Sequence, residues 1–184
     1  SLDIDLFSVK RLNRKKLIEF FFNHQHQIGW TKLHPQPGKG EGNFVISFSD
    51  HTQLNIDFVH YIFPRIKPGH KWHNLQVDSL EDIATNKLNT ILQRQYLRDY
   101  VDFYFLMRRE KFTLKHLRRN LIKKFEWPID AFTLSRRFLK VNELADLPRM
   151  KVPFSRPKMV RFFEQLADSL KPEIFTWLTT KQTP

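Results

Sequence analysis

Strand-period alternation constrains this chain more than any other feature, because two separate stretches carry it and both set acids on their polar side. In Ser1–Ser8, Ile4 and Leu6 alternate with Asp3 and Asp5; in Gln53–Val59, Leu54, Ile56 and Phe58 alternate with Asn55 and Asp57. Side chains two apart on a strand share a face, so Asp3 and Asp5 present a pair of carboxylates while their apolar neighbours turn to a core. A third carboxylate from a neighbouring strand makes a clamp for a hard cation. Magnesium takes a few carboxylates together with phosphate oxygens, and two such ions support phosphoryl or nucleotidyl transfer. The plain alternative is a set of solvated acids on an exposed strand face.

A second block, Ser79 to Arg109, opens as a helix. Ser79 is placed to cap, Asp82 stands in the capping-box position, and Glu81 adds charge that suits a first turn. Leu80, Ile83, Ala84, Leu88, Ile91 and Leu92 recur at helical spacing and predict a buried stripe. Lys87 adjoins that stripe, so it either snorkels to water or reaches into a cleft. Beyond it Asp99 and Asp102, three apart on one helical face, sit among Tyr100, Val101, Phe103, Tyr104 and Phe105. Acids in such surroundings need partners, and Lys87 and Arg94 are the candidates.

Taken in order, "SLDIDLFS", "LNIDFVHY" and "LEDIATNKL…ILQRQYLRDYVDFYFL" resemble the AbiEii/AbiGii toxin family, a bacterial branch of the polymerase-beta-like nucleotidyltransferases. The third block is the most specific, and the likeness runs through about the first 110 residues. It implies that Asp3 and Asp5 bind the catalytic metal, Mg2+ or Mn2+, that Asp57 is the third acid, and that Lys87 contacts the phosphates of an NTP substrate. Arg94 belongs to the same nucleotide-binding set, and Asp99 or Asp102 helps orient or deprotonate an acceptor hydroxyl. The resemblance further implies an RNA or tRNA acceptor, a toxin–antitoxin or phage-defence setting, and a separately encoded antitoxin. It also implies a Gly-Gly or Gly-Ser turn before the Asp-x-Asp strand. Only Ser1 and Leu2 precede Asp3, so the chain reads as amino-terminally truncated or as having lost that turn, with an incomplete catalytic apparatus. Gly38, Gly40 and Gly42 are a poor substitute, since they lack a Gly-Lys-Ser/Thr ending.

The expected fold is α+β: a small mixed nucleotidyltransferase-type sheet with flanking helices, residues 1–110, followed by a helical carboxy-terminal region, residues 111–184. A helix is predicted within Ser8–Gln27 with Leu17, Ile18, Phe21 and Phe22 inward; Asn43–Ser49 and Gln53–Val59 form a hairpin; "WHNLQV" is a further strand. Later helices bury Leu114, Leu117, Leu121, Ile122 and Phe125, then Met159, Val160, Phe163, Leu166 and Leu170. The absence of cysteine excludes disulfides and thiolate metal sites. No apolar run reaches the roughly 18 residues of a membrane span, and the cytoplasm is the expected location.

The formal charge of +12, from 31 basic and 19 acidic residues, suits a polyanionic partner. Arg108, Arg109, Lys111, Lys115, Arg118, Arg119, Lys123 and Lys124 are predicted to face solvent, where they meet RNA phosphate or only water. The rival reading is a non-catalytic nucleotide- or RNA-binding remnant of such an enzyme.

Overall fold

The computed structural model describes residues 2–37 and 41–180, and the chain divides into two compact units, Ser1–Phe63 and Pro64–Pro184. The first unit is a four-stranded sheet with helices. In chain order it runs β1 (Leu2–Ser8), α1 (Arg14–Asn23), α2 (Gln25–Ile28), β2 (Trp30–Gln36), β3 (Gly42–Phe48) and β4 (Gln53–His60). The strand order is β1-β4-β3-β2, with β1 parallel to β4 and the other pairs antiparallel.

Helix α1 starts where Asn13 accepts hydrogen bonds from the amides of Lys15 and Lys16. Its Phe21 joins Trp30, Phe44, Ile46 and Ile56 in the core, with Leu6, Leu17, Ile18, Leu54 and Phe58 packed around them. Phe22, expected inward, is 58% exposed and meets Trp30 edge-on, because it lies a further 100° round the helix from Phe21. Strand β2 has no counterpart among the expected elements. It contains Pro35, which a strand tolerates at a sheet edge, the place β2 takes.

The second unit opens with a small hairpin, β5 (Lys71–Trp72) and β6 (Leu75–Gln76), in place of the single strand expected over "WHNLQV". His73 at φ 51° makes the turn that breaks it. Helices α3 (Leu80–Gln93), α4 (Leu97–Glu110), α5 (Leu114–Phe125), α6 (Ala131–Leu139), α7 (Arg156–Asp168) and α8 (Lys171–Thr180) follow, with a 3-10 turn at Lys140–Asn142 after α6. Helices α3 and α4 pack with α5, α6 and α7, around Leu88, Ile91, Leu97, Tyr100, Phe103, Leu117, Phe138 and Phe163. No helix among the described residues is long and apolar enough to cross a membrane.

The buried stripe of α3 is rotated from the expected one. Ala84, Leu88 and Ile91 are inside as predicted, but Leu80 is 36% exposed and Glu81, Asp82 and Thr85 are buried. Partners explain the acids. Asp82 receives Lys124 Nζ at 2.8 Å, the amides of Ile66 and Lys67, and the Ser79 hydroxyl at 2.7 Å. Glu81 accepts from His116, Asn120 and Lys67. Ile122, also expected inside, is exposed; its place in the stripe of α5 is taken by Lys124, buried against Asp82.

The loop leading to Ser79 is tied closely. A Cβ on Gly69 would stand 1.9 Å from the carbonyl oxygen of Val77, so glycine is required at that approach.

Candidate functional site

On the sheet, register decides where the acids stand. Asp5 of β1 is opposite Asp57 of the parallel neighbour β4, and Asp57 is opposite Asn43 of β3, so these three form one cross-strand row. The next row places Asp3 opposite Asn55. Adjacent strands lie about 4.8 Å apart and side chains alternate, so Asp3, Asp5 and Asp57 share the face opposite the apolar core. Asp57 thus stands on the same side of the sheet as Asp3 and Asp5.

Amides hold two of the three carboxylates. Asn55 Nδ2 donates to Asp3 Oδ1 at 2.7 Å, and Asn43 Nδ2 donates to Asp57 Oδ1 at 2.6 Å. With the acids spread along two rows, no group of three or more His, Cys, Asp or Glu side chains among the described residues is drawn round a single point. The donor set still fits a hard divalent cation: oxygens only, two of them from register partners. The fit is helped by Asn43, whose Oδ1 is buried and has no hydrogen-bond partner. A magnesium ion keeps several of its waters, and such a water is a donor for an orphaned carbonyl oxygen.

The alternation sets Asn55 with Asp57 on the cleft side, but neither asparagine is expected from the sequence as a partner of the acids. The signal was present, since Asn55 and Asp57 alternate on one strand and Asn43 opens the partner strand, but the register that pairs Asn43 with Asp57 depends on the turn between them. Of the glycine cluster, Gly42 begins β3, while Gly38 and Gly40 lie outside the described residues.

In the second unit the predicted polar set comes together on α3 and α4. Asp99 is fully buried and receives Lys87 Nζ at 3.2 Å and Arg94 through Nε at 3.0 Å and Nη2 at 3.3 Å. Lys87 also pairs with Asp102 at 2.6 Å, whose side chain is 51% exposed. Lys87 and Asp102 line an open cleft of about 380 Å³ with Ile83, Phe105, Leu106 and Arg109. The two aspartates therefore differ in what they can do. Asp99 is enclosed and saturated by two cations, which suits it to fixing Lys87, whereas Asp102 reaches solvent.

The basic string is less uniform than its spacing suggested. Lys124 is buried on Asp82, and Arg118 forms a two-pronged pair with Glu173 at 2.6 and 2.8 Å. That pair raises the Arg118 pKa and lowers that of Glu173. Both side chains are structural rather than available to a polyanion.

The family model described as nucleotidyl transferase AbiEii toxin, type IV toxin–antitoxin system, matches residues 1–179. The chain belongs to the AbiEii family. Two solved Helicobacter pylori proteins share the fold of this AbiEii member. JHP933 is 15% identical with a TM-score of 0.57, over 98% of this chain and 79% of its own. A candidate nucleotidyltransferase is 15% identical with a TM-score of 0.58, over 96% and 80%. No curated protein matches the chain. Membership of AbiEii makes the chain a nucleotidyltransferase toxin, and the type IV setting implies a separate antitoxin as partner.

Proposed function

We propose that this AbiEii member transfers a nucleotide from an NTP to a hydroxyl of tRNA or another RNA, in a reaction that needs Mg2+ or Mn2+. The observation that carries the reading is the register pairing of Asp5 with Asp57 on one sheet face, with Asp3 alongside. Asp5 and Asp57 would hold the metal, with Asp3 as further support. When bound, the ion neutralises triphosphate charge and lowers the pKa of the acceptor hydroxyl. The acceptor oxygen attacks the α-phosphorus, the bond to the bridging oxygen breaks, pyrophosphate leaves, and the hydroxyl proton passes to a carboxylate or to water.

Lys87 is assigned to the nucleotide phosphates, where an ammonium offsets charge developing in the transition state. Asp99, with Arg94, keeps Lys87 extended; Asp102 orients the acceptor. The functional core proposed is residues 1–110. The setting proposed is the cytoplasm, as the toxin of a phage-defence pair.

The test is labelling of total RNA with each radiolabelled NTP in the presence of Mg2+. Asp5→Asn should abolish labelling while the circular dichroism spectrum stays unchanged. Undiminished labelling would reject the assignment.

A further inference from the structure

Helix α6 carries a second concentration of positive charge, apart from Lys87. Thr133, Arg136, Arg137 and Lys140 fall on one side of the helix and its following turn, while Ala131, Leu134, Phe138 and Val141 are buried on the other. With Gln95 from the turn between α3 and α4 they line a cavity of about 130 Å³. Three of its five lining residues are cations, and none is an acid.

Only one of the three charges is paired among the described residues. Lys140 pairs with the exposed Glu143 at 2.6 Å, but Arg136 and Arg137 make no ion pair among the described residues. Asp130, the cap of α6, is turned to the amide of Thr133 at 2.8 Å. Basic residues near a helix carboxy terminus favour the helix dipole and need no other reason. That account does not explain why Gln95, from another element, shares a cavity with three cations.

Exposed aromatic rings adjoin the cavity residues in the chain. Tyr96 follows Gln95, is 49% exposed, and has the guanidinium carbons of Arg94 and Arg98 at 5.3 and 5.4 Å from its ring. Phe132 precedes Thr133, is 55% exposed, and has Arg136 over its ring at 5.9 Å. Exposed rings beside arginines are the chemistry that binds single strands: cations take the phosphates and rings stack the bases.

We propose that the cavity between the α3–α4 turn and α6 seats a backbone phosphate of single-stranded RNA, with Tyr96 and Phe132 stacking the flanking bases. The choice of RNA rests on the acceptor reading above, whereas the anion site stands on its own charge and shape.

The experiment is fluorescence anisotropy with a labelled single-stranded RNA of about 12 nucleotides at several salt concentrations, without NTP. Arg136→Gln/Arg137→Gln/Lys140→Gln should weaken binding at least tenfold and flatten the dependence of log K on log salt by about 2, at roughly 0.7 for each phosphate no longer neutralised. Tyr96→Ala should weaken binding about fivefold or more. Gln95→Glu touches no core residue, so it guards against misfolding of the triple variant, and should cost affinity in the same direction.

Unchanged affinity and slope in all three would overturn the proposal. So would loss of inorganic pyrophosphate binding with RNA binding intact, which would make the cavity a small-anion site. Asp5→Asn, tested alongside, should bind RNA normally. Transfer persisting in it would refute the chemistry while leaving the RNA site to be judged by binding alone.

Discussion

Lys87→Met separates a phosphate-binding lysine from one that only neutralises its neighbours. The Lys87 side chain is 27% exposed and bonds Asp99 and Asp102. Removing it does not orphan Asp99, because Arg94 still donates twice to that carboxylate. Asp102 is half exposed and is solvated by water instead. A hydrogen bond to a charged group is worth about 1.5–3 kcal/mol, and partial exposure with a surviving partner puts the loss near about 1.5 kcal/mol. For a domain of about 5 kcal/mol stability, more than about 99% of molecules then remain folded. Unfolding is thus too small to disturb a binding titration. Removal of a charge-assisted hydrogen bond to phosphate, worth about 1.5–3 kcal/mol, would instead weaken nucleotide binding by about 10- to 150-fold. Urea denaturation gives the first number. Calorimetry with each NTP and Mg2+ gives the second. A dissociation constant within twofold of the parent, with stability lowered as expected, would show that Lys87 serves the ion network alone.

Two further predictions concern the tie between α3 and α5. Lys124→Met leaves Asp82 buried without its cation, and should cost about 3–5 kcal/mol in chemical denaturation, toward the lower figure because two amides and the Ser79 hydroxyl still donate; a loss under about 1 kcal/mol would contradict it. Burial raises the pKa of Asp82 and of Glu81, but the bonds from Lys124, Ile66, Ser79 and Lys67 to the one, and from Asn120, His116 and Lys67 to the other, outweigh it and hold both carboxyls below their ordinary values. Depressed folded values mean that the stabilisation is complete above the ordinary carboxylate range, about pH 4, and is lost as pH falls through the lower folded values. Thermal melts should therefore lose midpoint mainly below about pH 4, and less steeply in Asp82→Asn; an equal slope in that variant would show that the acid limb arises elsewhere.

Strand alternation revealed the acid face because it needs only neighbouring residues: Asp3, Asp5 and Asp57 share a side wherever β1 and β4 pair in register. The helix start at Ser79 was equally local, and Ser79 caps Asp82 as expected. What escaped notice depends on distant partners. Glu81 and Asp82 look like solvated first-turn acids until Lys124 and Asn120 arrive from α5, some 40 positions on. That meeting rotates the buried stripe and frees Leu80 and Ile122 to the surface. The Asn43–Asp57 bond likewise rests on hairpin register, and β2 was hidden by its proline. Arg136 and Arg137 look ordinary in the chain, and gain interest only when the fold gathers them with Lys140 and Gln95 round one cavity.

The Tyr100 hydroxyl, donating to the backbone carbonyl of Arg137 at 2.6 Å, locks the helix bearing Asp99 to the one bearing the arginines. Burial pushes that phenol up to about 12, so the proton stays on the oxygen and the latch does not open with ordinary changes of pH. In the proposed reading, an RNA strand held at α6 is thereby referred to Asp102 through a stiff strut. Such an arrangement acts as a ruler, setting how many nucleotides from the grip a chain end must lie.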